Sequence, residues 1–246
     1  MPISSNFTSV FSKDWEINFT QCDPNGNLKY TELCNLLQLT ASAHSEAGGI
    51  SFSDMQTFHQ AWVLSRMRLE ISELPKWKSI VTVKTWINSL EDSRSVRAIE
   101  VFCNGKKIAG SETFWVVFNT ETRRPEKLAL PYSHFEIFPE KLATENRFSK
   151  INTAFESDLI SEKIVVLSDL DIVNHVNNVK YLEWCLDLIP KNKLLKSPIH
   201  SIEMNFLKEL SLNDAVIITG NIDLNATAFC ISKEDRNCFA LLIDWK

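Results

Sequence analysis

The sequence predicts an α+β chain built as two like halves, each a long helix followed by an antiparallel run of strands. Three observations carry that expectation. A helical stripe is followed by four β-like runs, the same order returns in the second half, and the two halves align by hand. The 246 residues, 44% hydrophobic and 23% charged, suit an ordinary globular protein of one large domain or two small ones.

Tyr30 to Ala47 reads as the first helix. Tyr30, Leu33, Cys34, Leu36, Leu37, Leu39, Ala41 and Ala43 are apolar, and Thr31, Asn35, Gln38, Ser42 and Ser45 recur at spacings of four and three on one polar stripe. Gly48 and Gly49 end it, because glycine takes the left-handed conformation of a C-terminal cap. After a loop, strands are expected at Trp62 to Ser72, Ser79 to Asn88, Ser93 to Cys103 and Lys107 to Phe118. Asn104-Gly105 tolerates positive φ and marks the last two as a hairpin.

In the second half a strand is expected at Lys163 to Leu167 and a helix at Asn178 to Ile189. That helix is apolar nearly all round except for the stripe Lys180, Glu183, Asp187, so sheet must wrap most of it. Strands follow at Ser201 to Leu207, Ala215 to Asp223, Ala226 to Ser232 and Asn237 to Asp244, with the turn Lys233 to Arg236 between the last two. CDPNGNLKYTELCNLL over LDIVNHVNNVKYLEWC matches Asp23 with Asp171, and SELPKWKSIVTV over KELSLNDAVIIT matches Glu73 with Glu209 and Leu74 with Leu210. The expected organisation is therefore a first repeat over 1–130, a connection over 131–159 containing Pro131 and Pro139, and a second repeat over 160–246. A sheet curled around one long helix, present twice, resembles a tandem (double) hotdog fold.

The net charge of -5 argues against general nucleic-acid binding, which asks for a basic excess. No run approaches the length of a membrane span, and MPISSNFTSVFSKDW lacks the pattern of a secretory leader, so a cytoplasmic protein is expected. The six cysteines show no metal-type spacing; they are expected as reduced core thiols, with neither metal nor cofactor.

The chemistry concentrates in DLDIVNHVNN at the mouth of the second helix. A turn entering a helix N-terminus leaves N–H groups unpaired with the positive end of the dipole behind them, which suits an oxyanion. His175 adds a titratable group, and Asp171 can act as a base or hold the imidazole. The plainer readings are that Asn177 or Asn178 caps the helix, and that Asp171 satisfies loop amides.

DLDIVNHVNNVKYLEW closely resembles the second-repeat motif of the acyl-acyl-carrier-protein thioesterases, D-L-D-x-N-x-H-V-N-N-x-x-Y. DPNGNLKYTELCNLLQLTA, AWVLSRMRLEISELPKWKSIVTVKTW and VVFNTETRRPEKL resemble that family's N-terminal half. The resemblance implies hydrolysis of the thioester between a fatty acyl chain and the phosphopantetheine of acyl carrier protein. It carries the family's catalytic Asp to Asp171, the His to His175, and the Glu of a later strand to Glu209 in FLKELS. The motif asparagine is Val173 here. Asn174 either substitutes for it through a shift of the turn or the position is dispensable. The cysteine that follows the glutamate in many members is Leu210, which excludes a papain-like mechanism. Cys185, on an apolar helix face, is read as core.

The mechanism expected is that Glu209 activates a water or attacks directly, His175 orients it, the helix N-terminus polarises the carbonyl, and Asp171 positions the turn. The first repeat has Asn27 in place of His175 and is expected to be silent, building the acyl pocket; Trp62, Met67, Leu69 and Trp86 are available for it, although their spacing equally suits plain core. Acidic acyl carrier protein calls for basic residues, of which Lys191, Lys193, Lys196 and the pair Arg123-Arg124 are candidates. A homodimer is compatible with the fold. An acyl-CoA thioesterase and a non-catalytic acyl-binding module are the alternatives.

Overall fold

The computed structural model describes residues 3–223 and 226–246, so Met1 and Pro2 of the N-terminal stretch lie outside the description. The chain divides into two compact units, the first holding Leu69–Arg147 and the chain up to Ser65, the second Phe148–Lys246 with Arg66–Arg68.

In the first unit the elements run β1 Phe11–Glu16, α1 Tyr30–Ala47, α2 Phe52–Gln56, β2 Gln60–Ile71, β3 Ile80–Glu91, β4 Arg94–Cys103, β5 Lys106–Asn119 and β6 Arg124–Pro125. The strands lie in the order β1-β3-β4-β5-β2, with β6 on β5. Helix α1 has the bounds its periodicity predicts, and it buries Leu33, Cys34, Leu36 and Leu37. The two glycines after it act differently from one another. Gly49 is left-handed at φ 71, whereas Gly48 lies against the Phe135 ring, which a Cβ would strike at 2.1 Å. Phe135 belongs to a core cluster with Ile50, Met55, Ile87, Leu90, Val117 and Leu128, against which Trp62 packs. Trp86 is buried with Ala98 and Ala143 under Phe138, and its indole donates to the Lys141 carbonyl at 2.8 Å. Trp86 is thus core, and Trp62 is partly buried against core, beneath the segment that follows β6. Met67 and Leu69 are buried too.

A polar pair is built into this core. The Arg97 guanidinium donates to His44 Nδ1 at 2.7 Å, and His44 Nε2–H donates to the Thr8 carbonyl at 3.1 Å. Phe7 and Phe11 stack on the imidazole, each with centroids 5.6 Å away. Burial, reinforced by the adjacent guanidinium, holds His44 down at about 3, so the ring is neutral. Burial also lowers Arg97 to about 10.

In the second unit the elements run β7 Asp158–Ile164, α3 Asn178–Leu186, α4 Lys191–Lys196, β8 Ile199–Phe206, β9 Ala215–Ile222, β10 Ala226–Lys233 and β11 Arg236–Trp245. The strand order β7-β9-β10-β11-β8 reproduces that of the first unit element for element. Helix α3 buries Tyr181, Leu182, Trp184 and Cys185, and Tyr181 meets the rings of Phe206 and Phe239. Both hairpins β4–β5 and β10–β11 turn through a positive-φ pair, Asn104-Gly105 and Glu234-Asp235.

Three expectations shift. The strand placed at Lys163 to Leu167 is β7, which starts and ends earlier because Leu167–Asp169 forms a 3-10 turn closed by the Val166 N–H on the Asp169 carboxylate at 2.9 Å. Helix α3 stops at Leu186 rather than Ile189. Strand β1 and the short helices α2 and α4 have no sequence counterpart in the prediction. Among the described residues no helix is long and apolar enough to cross a membrane.

Candidate active site

The loop between β7 and α3 is built by its own polar side chains. Asp171 Oδ1 accepts the N–H of Val173 at 3.0 Å and of His175 at 3.4 Å. Its amide donates to the His175 carbonyl at 2.9 Å, and its carbonyl accepts the Asn174 N–H at 3.1 Å. Closing so tight a loop needs one left-handed residue, and Asn174 supplies it at φ 60. Asn177, not Asn178, caps α3, its side chain accepting the Val179 N–H at 3.0 Å. Asp169 anchors the base of the loop: its carbonyl takes the Asn177 N–H at 2.9 Å and its buried carboxylate takes the Trp184 indole at 3.4 Å.

The connection between β8 and β9 lies beside this loop. Val176 N–H donates to the Leu210 carbonyl at 2.9 Å, and Leu210 N–H donates to the Tyr181 hydroxyl at 3.1 Å. Glu209 precedes Leu210, so these two bonds aim it. His175 Nδ1 stands 3.2 Å from Glu209 Oε2, the side chains being 31% and 40% exposed. A carboxylate only accepts, so Nδ1 carries the proton in this contact. Glu209 is in a loop rather than on the strand the motif implied.

The four residues singled out by sequence are therefore brought together in two roles. His175 and Glu209 touch each other, while the Asp171 carboxylate and the Asn174 backbone shape the loop. The expectation of open amides at the helix mouth is narrowed: the N–H groups of Val173, His175, Val176, Asn177, Val179 and Lys180 donate within the protein. Val173 puts an apolar side chain where the motif has asparagine. Sequence reasoning missed Tyr181 and Asp169. A lone hydroxyl on an apolar helix face was the available signal for Tyr181, since a buried phenol must find a partner; burial pushes that phenol well up. Cys185 is fully buried and its thiol raised well above the ordinary range, as a core residue.

The same loop recurs in the first unit. Asp23 Oδ1 accepts the N–H of Asn25 at 2.8 Å and of Asn27 at 2.9 Å, Gly26 is left-handed at φ 78, and Leu28 N–H donates to the Pro75 carbonyl at 2.8 Å. Lys78 and Asn213, which follow at equal distance from Pro75 and Leu210, share φ 66. This register corrects the hand alignment by one residue: Leu74, not Glu73, stands where Glu209 does. Glu73 instead pairs with Lys106 at the surface, at 3.1 Å. The first copy therefore lacks both the imidazole and the carboxylate.

Of the expected basic clusters, Lys193 is drawn onto the Trp245 ring at 4.5 Å and to the Asp223 carbonyl, and Arg123 lies over Phe118 at 5.3 Å.

The acyl-ACP thioesterase N-terminal domain matches residues 8–132 and the acyl-ACP thioesterase C-terminal domain residues 150–244. An oleoyl-acyl carrier protein thioesterase of Coriandrum sativum, named chloroplastic, is 30% identical over 206 residues, covering 75% of this chain and 55% of its own. A palmitoyl-acyl carrier protein thioesterase of Gossypium hirsutum is 24% identical over 248 residues, covering 95% and 60%. The chain thus spans little more than half the length of these relatives. Among solved structures, an acyl-ACP thioesterase of Bacteroides thetaiotaomicron superposes with TM-score 0.89 at 23% identity over 97% of this chain and 98% of its own. The 12:0-ACP thioesterase of Umbellularia californica gives 0.85 at 19% over 97% and 98%. Both support the hotdog fold of the two units.

Proposed function

Since this chain belongs to the acyl-ACP thioesterase family, we propose that it hydrolyses the thioester between a fatty acyl chain and acyl carrier protein, releasing free fatty acid during fatty acid biosynthesis. The observation that carries this reading is the 3.2 Å approach of His175 Nδ1 to Glu209 Oε2 in the second unit.

In the proposed reaction Glu209 holds the imidazole in the tautomer whose Nε2 is basic. Nε2 takes a proton from water as its oxygen bonds to the thioester carbon, and the imidazolium is stabilised by the carboxylate. Collapse of the tetrahedral adduct breaks the carbon–sulfur bond, and the imidazolium returns its proton to the departing thiolate. With most of the loop amides occupied, the α3 dipole supplies the field at the developing oxyanion. Asp171 and Asn174 keep His175 in place, and no nucleophilic cysteine takes part.

A second division of roles has Glu209 itself taking the proton from water that His175, 3.2 Å away, orients. The pH–rate profile separates the two: an acidic limb in the ordinary histidine range supports the imidazole as base, a limb in the carboxylate range supports Glu209.

The test of function is free-thiol release from acyl carrier proteins bearing different chains, beside matched acyl-CoA. His175→Ala and Glu209→Gln should each lose about a thousandfold in kcat with the melting temperature nearly unchanged. Wild-type turnover by both variants would exclude this site. Faster turnover of acyl-CoA would move the assignment to that donor, and carrier binding without thiol release to a non-catalytic module.

A further inference from the structure

The first unit, silent in chemistry, presents a different surface at the corresponding loop. Phe19 is 73% exposed and Trp77 49%, and the two rings meet edge to face with centroids 5.9 Å apart. Ile80 beside them is 63% exposed. Lys76 and Lys78 flank Trp77 in sequence, and Lys78 Nζ lies 4.6 Å from the centre of its ring. Lys29, immediately before α1, is exposed and donates to the Thr20 carbonyl at 3.0 Å. The segments are held side by side by Trp77 N–H to the Gly26 carbonyl at 3.0 Å and Lys78 N–H to the Ile17 carbonyl at 3.0 Å, and Trp77 touches both Phe19 and Lys78.

The second unit is an internal control, because matched backbone hydrogen bonds fix which residues correspond. Phe19 corresponds to Leu167, Trp77 to Leu212, and Ile80 to Ala215. Lys29 corresponds to Asn177, Lys76 to Ser211 and Lys78 to Asn213. The fold needs neither the aromatic rings nor the three cations, since the other copy makes the same loop without them. Exposed aromatic side chains ringed by charge mark interaction sites, where tryptophan supplies much of the binding energy. In a chain of net charge -5 an acidic partner would be repelled except where a local basic patch steers it.

We propose that this face, Phe19 and Trp77 with Lys29, Lys76 and Lys78, docks acyl carrier protein, whose surface is acidic. The proposal rests on the thioesterase reading for the identity of the partner. It assigns recognition to the copy that lost the catalytic pair.

Calorimetric titration with holo acyl carrier protein tests it without requiring turnover. Lys76→Glu and Trp77→Ala should each weaken binding about tenfold or more, wild-type binding should weaken as salt is raised, and Lys191→Glu should leave it unchanged. In kinetics the same two variants should raise KM for acyl carrier protein substrates and leave acyl-pantetheine hydrolysis as in wild type. No binding by the wild-type chain, undiminished binding by both variants, or a larger loss in Lys191→Glu overturns the docking face. So does an equal effect on acyl-pantetheine, or a loss confined to acyl-CoA. Failure of the thioesterase reading shows separately, as wild-type protein that binds the carrier yet releases no thiol from acyl-pantetheine.

Discussion

The hydroxyl of Tyr181 on α3 receives the backbone N–H of Leu210, the residue after Glu209, at 3.1 Å. One end of this bond belongs to the helix that His175 introduces, the other to the loop that carries the carboxylate. Tyr181→Phe keeps the ring packing and leaves a buried N–H unsatisfied, which costs about 1–3 kcal/mol. The expected outcome is a lower denaturation midpoint together with a kcat reduced about tenfold, because Glu209 loses its aim on the imidazole. Unchanged stability would show that the amide finds another acceptor.

The Asp171 carboxylate accepts two loop amides. Asparagine has an acceptor of the same shape, so Asp171→Asn should retain the fold and keep activity within about tenfold of wild type, whereas Asp171→Ala should lose about 1–2 kcal/mol and most turnover. Steady-state kinetics on the pair decide it. Equal inactivation of both variants would instead make the negative charge itself the requirement.

Asn174 at φ 60 corresponds to Gly26 at φ 78. Asn174→Gly should therefore fold with nearly wild-type stability, while Asn174→Val should be destabilised by about 1–2 kcal/mol, since a branched side chain resists the left-handed region. Activity of the glycine variant bears on the side chain: full turnover assigns Asn174 to the backbone alone, and its loss assigns the amide to substrate.

His44 gives the first unit a pH-dependent stability. Its folded value near 3 lies below the ordinary imidazole value of 6.5, so between them the unfolded chain binds more protons than the folded one. Its contribution is complete above about pH 6.5 and is lost as pH falls toward 3, with a slope of up to about 1.4 kcal/mol per unit. Denaturant titrations across that window should show the slope. His44→Gln should flatten it by about one proton.

Much of this architecture was legible because buried elements leave periodic patterns. Helix α1 was bounded correctly by its apolar stripe and terminal glycines, and the β4–β5 hairpin by Asn104-Gly105. Strand β1 escaped because it is an outermost strand whose Ser12, Lys13 and Asp14 are all exposed, so the sequence FSKDWE carries almost no apolar alternation. The outermost strand β7, DLISEKI, was expected too late in the chain, at Lys163 to Leu167, for the same reason. The register error between Glu73 and Glu209 arose because both halves contain Glu-Leu in that stretch. Backbone bonds from Leu28 and Val176, invisible in composition, set the true correspondence. The contact of His175 with Glu209 joins segments more than thirty residues apart, and only resemblance to a family suggested it.

The two loops share one backbone and hold different side chains: Asn27 and Leu74 in one, His175 and Glu209 in the other. Two identical chains paired about a rotation axis would have to carry the same residues at both places, so any gain at one would be imposed on the other. Fusing the copies breaks that symmetry. Each loop becomes free to specialise, and a substitution that improves one need no longer be tolerated by its twin.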